Sequence, residues 1–450
     1  MLASTAKTGG TVDTTQSRID VVELIDERSM SAVQWLVAIA CGLTMFVDGY
    51  DLQVMPLAVP SVAQQWGVDP SLFSFALSAV SIGLGLGGIF VAPLGDLFGR
   101  RTLVVAGLVI AGLSTLGTGT ASGEYEFVIW RVLTGIGMGA SIPNCNAWTS
   151  EYTPLRGRAT VLVLMNAAIG IGAFLAGFIA PPVLARWGWR GTFFVGGFVP
   201  LAIAALTALT TPESLKFLIS RRPGDPRIAS TLRRIAPEVG AASPKLPDPG
   251  AKLPRAFVDE LLKPAYRRRT LMLWGVVLAN LFTLYVLISW LPQLLVSAGW
   301  SLDRALRGAV LIQAGGVLGG LVLSIFVDRR KTLPAMFIAF LAATVSLGLF
   351  AIAPSGIAWV VMLCLIGGGV SGSQLALNAL STAYYPSAIK ATGMSWVGVV
   401  GTMGSIVAPF VGGWLIREHV AAVNILALLS VAPLLCAIAM LFMKSEWQGN

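Results

Sequence analysis

Two carboxylates, Asp48 and Asp51, stand one helical turn apart in a run from residue 32 to 62 that is otherwise apolar, small or uncharged. An acidic side chain at the centre of a membrane helix costs about 2.5–3.5 kcal/mol on insertion scales, so it persists there when paired, protonated or facing water. At a spacing of three both side chains leave one helix face, and the repulsion between two such charges favours holding a proton on one of them. The pattern is that of a proton or ion site. A pair sitting at a wet helix end is the bland alternative, and the apolar residues that continue from Val54 to Val62 count against it. Arg131 is the basic residue set deep in a second apolar run, about seven residues or roughly 10 Å inside it. Asp48 falls roughly 24 Å from one face and roughly 6 Å from the other of a core about 30 Å thick, so the depths overlap. A pair between Arg131 and either acid would offset the burial of both charges, as a switchable partner or as a permanent ion pair that fixes helix packing.

The elements that hold these residues are membrane spans. The 450 residues are 55% hydrophobic and only 12% charged, with a mean hydropathy of +0.78, whereas a soluble domain carries about 25% charged residues. Uncharged runs such as Thr102–Gly123, Ala159–Ala185 and Gly308–Val327 meet the roughly 20 residues needed to cross the hydrocarbon core. With turn breaks they predict twelve spans, near 32–64, 72–97, 101–121, 124–152, 157–185, 190–211, 268–297, 303–328, 331–352, 356–385, 389–416 and 420–443. Lys and Arg follow the rule that cytoplasmic loops carry the excess. With both termini inside, only Arg186, Arg190, Arg304, Arg307 and Arg417 fall on the outer side, and the net charge of +9 is orientation signal rather than a nucleic-acid footprint. The polar segment 1–30 reads as a cytoplasmic tail rather than a cleavable signal. Four cysteines in apolar runs and one histidine, His419, indicate neither a disulfide framework nor a metal site. They also leave no nucleophile, base and orienter set for an enzyme.

The chain repeats itself at one constant offset. Pro60 matches Pro292, Gly83 matches Gly315, Gly87 matches Gly319, Asp96 matches Asp328, Gly135 matches Gly367, Asn146 matches Asn378 and Tyr152 matches Tyr384. Parallel six-helix halves related by an axis along the membrane normal are the architecture of the major facilitator transporters, with substrate bound between the halves. The expectation is an all-α polytopic membrane protein of twelve helices in two pseudo-symmetric bundles: a cytoplasmic tail 1–31, an N-terminal bundle 32–211, a cytoplasmic linker 212–267, a C-terminal bundle 268–443 and a tail 444–450. At the same offset Asp48 faces Asn280, Asp51 faces Thr283 and Arg131 faces Leu363. Proton coupling is therefore expected in the first half and substrate contacts in the second.

Two further sets stand out. Gly95-Asp96-Leu97-Phe98-Gly99-Arg100-Arg101 lies at a cytoplasmic turn and is echoed by Val327-Asp328-Arg329-Arg330-Lys331. An acid beside a helix N-terminus and clustered arginines can latch one side shut and release it; Asp96, Arg100, Arg101, Arg158 and Asp328 form that predicted latch, with Glu151 beside them. Plain positive-inside anchoring explains the arginines but not Asp96. Gly135-Ile136-Gly137-Met138-Gly139 predicts close approach of a neighbouring helix. Polar and aromatic groups in apolar spans supply the candidate substrate contacts: Tyr50, Arg131, Asn144, Trp148, Tyr285, Gln374, Asn378 and Trp396, the last with lipid-facing packing as its alternative.

Asp48-Gly-Tyr-Asp51, Arg131-x3-Gly-x-Gly-x-Gly-x3-Pro143, Trp290-Leu-Pro292, Gln374-x3-Asn378-Ala-Leu and Tyr384-Tyr-Pro386-x4-Ala-Thr-Gly393 together resemble the aromatic acid:proton symporters of the major facilitator superfamily, over nearly the whole chain. The resemblance implies uptake of a small aromatic carboxylate with protons as the coupling ion, no other cofactor, a monomer in the inner membrane, and roles in transport for Asp48, Asp51, Arg131 and Glu151. Two positions depart from the family pattern: Thr402 stands where a basic residue is usual, and Phe98 where an arginine is. Proton-driven efflux and a membrane sensor of aromatic acids are the other functions the same residues allow.

Overall fold

The computed structural model describes residues 19–237, 244–245, 258–329, 331–350, 357–385 and 389–443. The predicted tails therefore lie partly (1–18) or wholly (444–450) outside the described residues, as does much of the linker and the side chain of Asp328. The described chain is helical apart from one two-residue parallel ladder, β1 (Ile19–Asp20) with β2 (Pro244–Lys245).

A short helix α1 (Val21–Asp26) leads into α2 (Ala32–Trp66), α3 (Ser74–Leu86), the four-residue α4 (Gly95–Phe98), α5 (Arg100–Thr120), α6 (Glu124–Tyr152) and the long α7 (Leu155–Thr210). A π turn, Gly87–Val91, carries α3 on towards α4. Two connecting helices, α8 (Leu215–Arg221) and α9 (Pro226–Ile235), precede α10 (Val258–Leu261) and the second half: α11 (Pro264–Ser297), α12 (Leu302–Asp328), α13 (Thr332–Phe350), α14 (Ala358–Gly367), α15 (Ser373–Tyr384), α16 (Lys390–Arg417), α17 (Ala422–Leu429) and α18 (Val431–Phe442). Among the described residues ten helical units are long and apolar enough to cross a membrane. One of them, α7, is two arms joined at Gly188, whose φ of 67° only glycine adopts freely; a further long helix, the 29-residue α6, carries Arg131 and is not among those ten.

Glycine decides how closely the helices of the first half cross. A Cβ on Gly49 would meet the carbonyl of Ile169, and one on Gly172 the carbonyl of Phe46, so α2 and the first arm of α7 touch backbone to backbone between the two aspartates. The run predicted to allow close approach does so on two faces: Gly135 and Gly139 lie on the backbone of α3 and its π turn, and Gly137 on Gly107 of α5. Small residues give such crossings their contact area where no hydrophobic effect operates.

At the end of the bundle carrying Trp66 and Trp300, one apolar cluster draws on both halves, joining Val54, Leu57 and Phe73 to Trp290, Leu294 and Ala408. At the end nearer the termini the core is two separate clusters, one around Val37, Met45, Trp148 and Leu215 and one around Val276, Met336, Leu377 and Tyr385. Ser78 Oγ donates to the carbonyl of Ile406 at 2.9 Å, Phe75 meets Phe410 edge-on at 5.7 Å, and Gln313 Nε2 donates to Gln53 Oε1 at 3.4 Å. Among the described residues the apolar core is thus shared by the two halves at the Trp66 end and divided between them at the other.

Candidate functional site

Arg131 Nη1 donates to Asp51 Oδ1 at 2.9 Å and Nη2 to Asp51 Oδ2 at 2.7 Å, with both side chains at most 3% exposed. This fork-to-fork geometry is the strongest form of the pair. Thr115 adds a hydrogen bond to Asp51 Oδ1 at 3.3 Å and lies 3.5 Å from the Thr134 hydroxyl, while the Phe193 ring sits 5.8 Å from the guanidinium. The arrangement draws on α2, α5, α6 and the second arm of α7, all in the first half.

Asp48 is treated differently. It is equally buried, yet its Oδ2 has no hydrogen-bond partner among the described residues. Of the two pairings open to Arg131 the structure takes Asp51, because α2 turns that carboxylate towards α6 and leaves Asp48 one turn nearer the termini. An ionised carboxylate left unpartnered in hydrocarbon would carry its full desolvation cost, so Asp48 is suited to holding a proton. Arg131 Nε is also unpartnered. Arg131 reaches the seam between the halves, where with Ser81, Tyr285 and Ser289 it lines a cavity of about 40 Å³, far below the roughly 150 Å³ of a cavity that takes up benzene.

The sequence profile described as Major Facilitator Superfamily matches residues 41–409. The chain belongs to the Major Facilitator Superfamily. The gallate transporter of Pseudomonas putida is 32% identical to it over 94% of each chain. The 4-hydroxybenzoate transporter PcaK of Acinetobacter baylyi is 33% identical over 96% of this chain and 95% of its own. The 3-(3-hydroxy-phenyl)propionate transporter of Escherichia coli is 29% identical over 90% and 93%. The inward open xylose transporter XylE of E. coli superposes with a TM-score of 0.70 at 18% identity, over 93% of this chain and 98% of that one, which concerns the fold alone. Within the superfamily the chain groups with the aromatic acid:proton symporters, as its motifs imply; it is a multi-pass membrane transporter and not an enzyme.

In this facilitator the predicted latch divides into separate contacts. Arg100 pairs with Asp96 at 2.5 Å and approaches Glu151 at 3.7 Å, and it donates to Asn144 Oδ1 at 3.2 Å. Asp96 is itself 67% exposed. Arg101 does not reach Asp96: its guanidinium bonds the carbonyl of Ala208. Arg158 pairs instead with Asp26 of α1 at 3.2 Å. Glu151 lies twenty residues along α6 from Arg131, roughly 30 Å at 1.5 Å per residue, so it stands with Arg100 and Ser214 and not with the Asp51–Arg131 pair.

Several predicted substrate contacts are placed elsewhere. Asn144, roughly 20 Å from Arg131 along α6, is fully buried and spends its amide on the carbonyls of Ala92 and Ala140, bracing α6 against the segment before α4. Trp148 is buried in the core of the first half, and the Tyr50 ring packs beside Gly196 and Thr115 inside that bundle. Trp396 stacks on Trp274 with centroids 5.9 Å apart. Tyr285 does reach the seam beside Arg131, and Gln374 bonds Asn378 and Asn280.

Thr115, Thr134 and Phe193 were missed, since Ser114 and Thr118 look alike in sequence and merely bond their own helix. Gln53 had a readable signal, a polar side chain two residues past Asp51. Glu213 was also missed. It accepts from Arg101 N at 2.9 Å, Thr102 N at 3.2 Å and Thr102 Oγ1 at 3.1 Å, capping the positive end of α5 from the start of the linker. Glu213→Ala is expected to destabilise the protein by about 1–2 kcal/mol, read as a lowered midpoint in thermal unfolding of the purified transporter; an unchanged midpoint would remove the cap from the account.

Proposed function

We propose that the chain imports a small aromatic carboxylic acid together with a proton by alternating access, as a monomer in the inner membrane with both termini cytoplasmic and no cofactor besides the coupling ion. The observation that carries this is the buried Asp51–Arg131 fork with an unpartnered Asp48 one turn away, in a chain whose relatives are named as transporters of gallate, 4-hydroxybenzoate and 3-(3-hydroxy-phenyl)propionate. With the termini inside, the Trp66 end, where the halves share their core, faces outward and the conformation is inward-facing. Proton release and substrate release then belong to this state, and Arg131 has returned to Asp51.

Counterflow uptake by purified protein in proteoliposomes, with a panel of labelled aromatic acids, tests the reading. Exchange of at least one aromatic acid, accelerated by unlabelled acid inside, is expected. Exchange of none would overturn it, and pH-driven extrusion from right-side-out vesicles would reassign the chain to efflux.

The pH dependence should come from inside the membrane rather than from the outer turn. Bonds from Ser71 hold the Asp69 carboxyl below its ordinary value, helped by the nearby charges of His419 and Arg417 in the other half. A lowered value means its contribution is complete above about pH 4 and is lost only as pH falls through the lowered value. Asp69→Asn is thus expected to leave the shape of the uptake profile between about pH 5 and 8 unchanged.

A further inference from the structure

The second half holds a chain of amides that ends on an unfilled acceptor. Asn280 on α11 donates from Nδ2 to Gln374 Oε1 at 2.9 Å, and Gln374 on α15 donates from Nε2 to Asn378 Oδ1 at 3.4 Å. Asn378 is exposed, whereas Asn280 is only 2% exposed, so the chain runs from an open end to a buried one. At the buried end Asn280 Oδ1 has no hydrogen-bond partner among the described residues. An acceptor buried without a donor is costly, and a ligand that supplies the donor recovers that cost.

The chemistry of the missing donor can be narrowed. A carboxylate offers acceptors only and cannot fill the position. An ammonium group would need a counter-charge, and α11 has no acidic residue and α15 no charged residue at all. Thr402, where the family pattern has a basic residue, bonds its own helix at Gly398, so it brings no second cation to hold a second carboxylate. A neutral hydroxyl fits. The internal repeat places Asn280 at the position that Asp48 holds in the first half, and these two buried residues share the same kind of unfilled oxygen.

We propose that Asn280 accepts a hydrogen bond from a ring hydroxyl of the substrate, with Gln374 holding the Asn280 amide in register, so that the chain selects hydroxylated aromatic acids over unsubstituted ones. This rests on the import reading above and deepens it: the carboxylate belongs to the arginine of the first half and the hydroxyl to the amide of the second. Asn280 is then a specificity-determining residue, and Gln374 a positioning residue that acts through it.

The test compares proton-driven uptake of benzoate with that of the three monohydroxybenzoates in proteoliposomes. The intact transporter is expected to favour at least one hydroxybenzoate over benzoate by about tenfold or more in kcat/KM, the value of one hydrogen bond of about 1.4 kcal/mol. Asn280→Leu should erase that preference by lowering uptake of the hydroxylated acid while sparing benzoate; Asn280→Ser, which restores an acceptor, should regain part of it, and Gln374→Met should weaken it. Equal uptake of all four acids by the intact protein overturns this inference alone, as does an Asn280→Leu variant that loses all four acids in proportion while remaining monodisperse. Should the leucine variant fail to fold, the same ratio is read on Asn280→Ser and Gln374→Met, and an unaltered preference in both overturns the assignment. Failure of the intact protein to carry any aromatic acid overturns the import reading and this inference with it.

Discussion

Arg131→Gln is expected to abolish pH-driven accumulation and to cost about 3–5 kcal/mol of stability, because it leaves the Asp51 carboxylate buried with Thr115 as its remaining hydrogen-bond donor. Asp51→Asn should cost a similar amount by stranding the guanidinium. The double variant Arg131→Gln with Asp51→Asn removes both charges, and its unfolding midpoint should return close to that of the parent, since breaking a buried pair is far more costly than replacing both members. Transport should not return. That split separates the two readings of the pair: a permanent ion pair that only fixes packing predicts that stability and uptake recover together. Arg131→Lys keeps the charge but loses the two-pronged geometry seen at 2.9 and 2.7 Å, and is expected to weaken substrate binding by about tenfold or more without unfolding the protein. Thermal unfolding in detergent and uptake into proteoliposomes, measured on the same four preparations, decide the matter. The mechanism behind the expectation is a shared cation. When the proton carried by Asp48 passes one turn along the helix to Asp51 the guanidinium is released, and a substrate carboxylate at the seam beside Tyr285 takes its place, so that one proton serves both acids.

The fold was legible because membrane physics leaves few options. Apolar runs long enough to cross the bilayer must be helices, and a constant offset between glycines, prolines and acids implies paired halves. The glycines were legible for the same reason, as Gly135, Gly137 and Gly139 now lie against two neighbouring helices. The rotation of each helix was not legible. Asp48 and Asp51 share a face at a spacing of three, and nothing in the spacing says which of them meets Arg131; the backbone contact at Gly49 with Ile169 sets that rotation. Asn144 misled because an amide in an apolar span has the same sequence signature whether it meets a ligand or braces a carbonyl, and here it holds Ala92, Ala140 and Arg100. Glu151 was read beside the latch and approaches Arg100 at 3.7 Å, whereas the resemblance, which names it together with Asp48, Asp51 and Arg131, says nothing of the helix length that separates them. Which end is closed depends on how two separate bundles rock, a choice between states of similar energy that no local pattern encodes.

Asp48→Asn is expected to behave unlike either member of the ion pair. Its Oδ2 has no partner to lose, and an amide of the same shape need not shed a proton, so the unfolding midpoint should stay within about 0.5 kcal/mol of the parent. Uphill accumulation should nevertheless vanish, while counterflow of the same acid, which needs no net proton movement, should persist. With Asp51 committed to Arg131 in this state, Asp48 is the carboxyl free to carry the coupling proton. One proton travelling with one monoanion moves no net charge. The membrane potential, worth about 2.3 kcal/mol per charge per 100 mV, should then add nothing to accumulation, and a pH gradient alone should drive it. Valinomycin-imposed potentials in proteoliposomes test this directly: accumulation that rises with an inside-negative potential requires a second proton and returns Asp51 to the list of carriers. Full pH-driven accumulation by Asp48→Asn would place the coupling proton on Asp51 alone, and make the unpartnered carboxyl of Asp48 a cost the fold carries for some other reason.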